Sequence, residues 1–161
     1  MTPDELDRFF RKVVKGTHPD DCWIWVGAIA DDGYGRFALT RDGHPRRQRV
    51  VRPHRILYEH QAERRLPEDT LLLHRCDVPI CVHVDAGPGS HVFEGDAMMN
   101  MRDREQKMRA ARGRAGMRGL SRTELAVRSR ALRTLILERG WDAGAMAAVL
   151  AGHQPDDPRL F

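Results

Sequence analysis

The densest chemistry in the chain lies between His74 and Asn100. His74-Arg75-Cys76 sets a histidine two residues before a cysteine, Cys76 and Cys81 form a C-x4-C loop with Pro79 inside it, and His91 follows ten residues after Cys81. Cys22 stands far upstream, at the start of the apolar run Cys22-Trp23-Ile24-Trp25-Val26. A structural zinc site is closed by four thiolate or imidazole ligands in a tetrahedron. Cys22, Cys76, Cys81 and His91 make such a Cys3His set and use all three cysteines. His83 competes for the fourth position, although its two-residue separation from Cys81 makes a strained chelate. His74 reads either as an extra ligand or as a buried histidine with satisfied hydrogen bonds. The plainest alternative for the whole group is three free thiols among surface histidines.

Composition narrows what could surround these residues. A chain of 161 residues makes one ordinary domain with room for a small appendage. A hydrophobic share of 41% with only 6% aromatics supplies a modest core, which a bound metal would supplement. Three cysteines cannot pair among themselves, which argues against a disulfide-stapled secreted domain. No apolar run approaches the ~20 residues that a membrane helix needs, and the acidic, amphipathic start MTPDELDRFF predicts no signal peptide. The expectation is an intracellular, cytoplasmic protein.

The net charge of +4 is unevenly spread. Residues 41–55 hold six arginines against one acid, and residues 102–133 hold ten arginines and Lys107 against three acids. These windows carry +5 and +8, leaving −9 for the rest of the chain. Segregated positive charge suits a polyanion, because each neutralised phosphate releases condensed counterions. A solvated arginine-rich face without a partner is the simpler reading.

The elements that must position the chemistry are partly visible. Leu6, Phe9, Phe10, Val13 and Val14 recur at helical spacing behind Thr2-Pro3, predicting a helix over 3–15 ended by Gly16. Cys22–Val26 reads as a strand with Tyr34–Leu39 as its hairpin partner across the Asp31-Asp32-Gly33 turn. Further helices are predicted over 54–64 and 94–109, and a short strand over 70–74. Residues 75–91 read as a loop and 110–120 as a linker. Ser121 and Glu124 form a capping box that opens a helix to Arg139, and Gly140 precedes a last helix over 142–150. Helix, glycine turn and helix is the outline of a helix-turn-helix, and equally of any packed helical hairpin.

Five signals in order carry a resemblance: C-W-I-W-x-G at 22–27, G-Y-G-R-F at 33–37, H-R at 54–55, L-L-H-R-C-D-x-P-x-C-V at 72–82 and H-V-F-E-G-D-x3-N at 91–100. Together they cover roughly residues 20–110 and resemble the HNH endonucleases, most of all the zinc-containing branch related to His-Cys box homing endonucleases that is common in phages. The chain departs from the family in the stretch 82–90, which is several residues longer than its usual turn between the second loop cysteine and the histidine.

The resemblance implies an α+β fold: a ββα-metal nuclease core with a structural zinc loop, flanked by an N-terminal helix and C-terminal helices. The expected division is a nuclease domain over 1–110 and a basic helical extension over 111–161. It further implies that His74 is the general base and that Asn100 holds a catalytic Mg2+ or Mn2+ ion, with Asp96 a second candidate ligand. An arginine among Arg46, Arg47 and Arg49 would brace the phosphate. Double-stranded DNA would meet Arg36, Arg41, Arg46, Arg47, Arg49, Arg52, Arg104, Arg112 and Arg114. The activity implied is hydrolysis of a phosphodiester bond to 5′-phosphate and 3′-hydroxyl ends, with a homodimer or two visits needed to cut both strands. His54 reads as a structural residue packing beneath the site, and Trp23 and Trp25 read as core or zinc-knuckle packing. The rival expectation is a non-catalytic zinc-stabilised DNA-binding module, a regulator or packaging accessory with no need of His74 or Asn100.

Overall fold

Capping chemistry defines the first helix and the longest one described. Thr2 Oγ1 accepts the Glu5 N–H while the Glu5 carboxylate accepts the Thr2 N–H, and Pro3 opens α1 (Pro3–Phe10). The same reciprocal pair, Ser121 with Glu124, opens α4 (Arg122–Arg139), which Gly140 ends at φ +74° before α5 (Ala143–Leu150). The structure, a computed structural model, describes residues 1–41, 44–102, 105 and 120–152, with the backbone alone at 41 and 44–47. The linker expected over 110–120 and the C-terminal tail fall almost wholly outside them.

Between these helices the chain forms three small antiparallel sheets. β1 (Val13–Lys15) pairs with β2 (Trp23–Trp25), and β3 (Ala28–Ile29) with β4 (Gly35–Arg41), which pairs in turn with β5 (His44–Val51). After α2 (Pro53–Gln61), β6 (Leu71–His74) pairs with β7 (Val92–Gly95), and α3 begins at residue 97 and is described through 102. The fold is thus mixed α+β. Among the described residues no helix is long and apolar enough to cross a membrane.

One expected helix and one expected pairing are corrected. The helix foreseen over 3–15 stops at Phe10, because Val13 and Val14 turn into a strand facing Trp25 and Ile24. β2 therefore takes β1 as its partner rather than Tyr34–Leu39, which bonds to β3 and β5. β-branched residues that match a helical period also suit a half-buried strand, and the long-range partner decides.

One core joins these pieces. Phe9, Trp25 and Phe37 meet with ring centroids 5.1–5.6 Å apart, and Val78, Ile80 and Val82 of the cysteine loop continue the cluster. Leu132, Leu135 and Ile136 of α4 and Met146 and Val149 of α5 are buried in the same core. Three arginines of α4 turn to the protein's own backbone. Arg133 Nε donates to Val26 O at 2.8 Å, Arg130 to Ala30 O at 3.3 Å, and Arg128 to Leu150 O at 3.2 Å and Asp77 O at 3.3 Å. Arg122 pairs with Asp31 at 2.9 Å.

Gly33 lies in the turn before β4, close against the backbone of α4. Its φ is +82°, and a Cβ there would lie 2.9 Å from the Leu125 carbonyl. A Gly33→Ala substitution meets both penalties, and the left-handed conformation alone costs about 1–2 kcal/mol. Urea denaturation should show a lowered midpoint at unchanged slope.

Candidate metal centre

Cys22, Cys76, Cys81 and His91 are brought together by strand pairing. β2 runs beside the cysteine loop, with Trp25 N–H donating to Ile80 O at 2.8 Å, Val82 N–H to Trp23 O at 2.7 Å, and an antiparallel bridge between Ile24 and Cys81. Cys22, just before β2, is thereby carried to Cys81. The loop turns at Asp77, whose φ of +55° is a conformation that Asp tolerates better than most residues, and Cys81 N–H closes the turn on Val78 O at 2.9 Å. His91 reaches the group because β7 pairs with β6, and its N–H and C=O bond to His83 O and Arg75 N–H.

The geometry suits a tetrahedral ion. One ligand atom from each of the four residues lies within 4.8 Å of all the others. His91 Nδ1 lies 3.4 Å from Cys22 Sγ and 3.6 Å from Cys81 Sγ. A tetrahedron with ordinary zinc–sulfur and zinc–nitrogen bonds has an S···N edge of about 3.5 Å. The protons on the sulfurs point the same way. Hydrogen bonds from Cys22 and Cys81 hold the Cys76 thiol far below its usual range, the bond to Cys76 pushes Cys22 up, and burial pushes Cys81 up. Ligation of a divalent cation requires all three sulfurs as thiolates, so binding would release the protons they carry. The His83 N–H donates to Cys81 Sγ at 3.4 Å and would share that charge. A depression of about 280 Å3 bounded by Arg75, Cys76, Pro88, Ser90 and His91 is an approach from solvent.

His83 lies outside this group of four. Its Nδ1–H donates to Asp21 O at 2.7 Å, and its ring lies flat on Trp23 with centroids 4.5 Å apart. Lys15 Nζ covers the opposite face of Trp23 at 3.8 Å, so both faces of that indole are taken within the fold. Trp25 is wholly buried.

His74 ends β6 at the rim of the cluster. Its Nε2–H donates to Cys81 O at 3.1 Å, because a carbonyl can only accept, and the lone pair is left on Nδ1. Burial pushes its pKa down, which keeps the imidazole neutral. The rings of His54 and Tyr34 lie against it, with centroids 4.9 Å and 6.2 Å away. Asn100 lies in α3 with its N–H on Asp96 O at 3.0 Å; Asp96 Oδ1 accepts the Met99 N–H at 2.7 Å and so caps the helix.

Of the arginines assigned to DNA, Arg36 and Arg52 flank Asp32 at 3.8 Å and 2.9 Å, and Arg49 is exposed on β5 opposite Leu39. Arg104, Arg112 and Arg114, and the side chains of Arg41, Arg46 and Arg47, lie outside the described residues. The sequence reading missed that Tyr34, Asp32 and Arg52 gather beside His74. The G-Y-G-R stretch was its signal.

Fold and cluster together define a small α+β protein with a Cys3His group able to hold a metal such as zinc. The chain is 30% identical over 114 residues to protein 7.7 of Escherichia phage T7, covering 70% of this chain and 78% of that protein, and it belongs to the family of that protein. It is also 27% identical over 92 residues to protein 2.8 of the same phage, covering 57% of this chain and 55% of that protein. No established family profile and no solved structure matches it.

The cluster should bind one zinc ion per chain by elemental analysis, and Cys76→Ser should abolish that binding. Stripping the metal with a strong chelator should collapse the circular dichroism of the domain. An unchanged spectrum after verified metal loss would rule out a structural role for the ion.

Proposed function

We propose that this protein is a metal-dependent DNA endonuclease of the HNH type, with the Cys3His zinc serving structure and His74 serving chemistry. The observation that carries the reading is the hydrogen bond from His74 Nε2–H to Cys81 O. It ties the base to the zinc loop itself and fixes the tautomer in which Nδ1 can accept a proton. A neutral imidazole so held can deprotonate a water as that water attacks a phosphorus. The order strand, zinc loop, strand and helix from β6 to α3 supports a ββα-metal core, with His74 ending the first strand and Asn100 on the helix.

In this reading the Asn100 side-chain oxygen holds a hard divalent ion, Mg2+ or Mn2+. Such an ion would offset the charge that develops on the phosphate and on the leaving 3′ oxygen. The products are 5′-phosphate and 3′-hydroxyl ends. The arginines of the β4–β5 hairpin and of the 102–118 stretch supply contacts to duplex phosphates. Four arginines of α4 are engaged by the protein itself, Arg128, Arg130 and Arg133 by backbone carbonyls and Arg122 by Asp31.

Supercoiled plasmid incubated with Mg2+ or Mn2+ should be nicked or linearised by the native protein and left intact by a His74→Ala variant of unchanged zinc content. Equal cleavage by both would remove His74 from the mechanism. DNA binding without cleavage by either would favour a zinc-stabilised binding module. Binding itself should weaken steeply with salt, and Arg49→Ala should make the log–log slope shallower by about 1.

A further inference from the structure

The G-Y-G-R and P-H-R stretches supply no zinc ligand and no part of the hydrolysis described above, yet they converge on His74. His54, in the first turn of α2, is 5% exposed. Its ring meets that of His74 edge to face, at 4.9 Å and 72°, and that of Tyr34 at 5.5 Å. Tyr34 completes the triangle against His74. The hydrogen bond to Cys81 O anchors His74 at Nε2, a single point about which the ring could still rock. The two neighbouring rings close off that motion.

The frame around His54 is itself fixed. Asp32 Oδ1 accepts the Tyr34 N–H at 3.1 Å, and its Oδ2 accepts from Arg52 at 2.9 Å. The Arg52 guanidinium lies 4.3 Å from the centre of the Tyr34 ring, and Arg52 is the N-cap residue of α2. Pro53 follows, packed so closely on Gly35 that a Cβ there would lie 2.9 Å from Pro53 Cγ. The turn before β4 thus sets where α2 begins, and α2 sets where the His54 ring sits.

We infer that His54 is a positioning residue for His74: it holds the imidazole at the angle from which Nδ1 faces the scissile phosphate. The inference rests on the nuclease reading and goes beyond it by giving Asp32, Tyr34, Arg52 and His54 one shared task. Burial, with the neighbouring His74, pushes the His54 pKa well down, so two uncharged rings meet and the contact acts through shape.

The test compares native protein with His54→Ala and His54→Phe in plasmid cleavage, with zinc content measured for each. A misplacement of about 1 Å can cost up to ~100-fold in rate. His54→Ala is expected to keep its zinc and its KM while kcat falls at least roughly tenfold, and His54→Phe, which restores a ring, should recover most of that loss. Tyr34→Leu, which opens the other side of the triangle, should lower kcat in the same sense. Native kcat in His54→Ala would overturn the proposal. So would a His54→Phe variant as slow as the alanine one with zinc intact, or loss of zinc from both.

The His74 Nε2–H resonance gives a readout that needs no activity. It should be protected from exchange in the native protein and lose protection in His54→Ala; unchanged protection would overturn the proposal. A native protein that fails to cut would sink the nuclease reading alone, and this resonance would still decide whether His54 positions His74.

Discussion

The edge of β2 lies against the loop that carries Cys76 and Cys81, and three backbone contacts there hold residues more than fifty positions apart in the sequence. Cys81 is the hinge of the arrangement. Its sulfur belongs to the Cys3His cluster, its N–H closes the turn on Val78, and its carbonyl receives His74. Metal ligation, loop geometry and the orientation of the candidate base therefore cannot vary independently. The same pairing buries Ile24, Val78, Ile80 and Val82, so that the loop is a wall of the core as well as a ligand set.

The C-terminal helices reinforce this arrangement from behind. Arg128 bonds to the carbonyl of Asp77 at the tip of the cysteine turn, and Arg133 to Val26 just after β2. A guanidinium that satisfies a backbone carbonyl is a structural brace first and a surface charge second. This redistributes the meaning of the basic composition. Part of the charge of the 121–133 stretch is engaged in cohesion, whereas Arg49 of the β4–β5 hairpin is exposed.

Much of the candidate site could be read before any coordinates, because ligand chemistry is local in type even when it is distant in sequence. Three cysteines and a histidine sufficed to name the cluster, and the strain of a two-residue chelate pointed away from His83. The capping box at Ser121 and the cap at Thr2 were equally readable, since each is closed within four residues. What escaped was decided by partners. Val13 and Val14 fit a helix until Ile24 and Trp25 lie opposite them, and strands of two or three residues carry no periodicity of their own. The ring triangle escaped for the same reason: Tyr34, His54 and His74 come from three elements, and no spacing rule links them.

The stretch between Cys81 and His91 makes an excursion whose residues 85–88 are exposed, and a side chain at Gly87 would meet nothing within 4 Å. Its two ends are pinned by the cluster and by the bond from Arg75 to Pro88 O. Lengthening a loop with fixed ends is entropically cheap, about 0.6 kcal/mol per doubling. The excursion is thus a natural graft point, where a fluorophore tag or an epitope could be inserted to follow the protein without disturbing the cluster a few residues away.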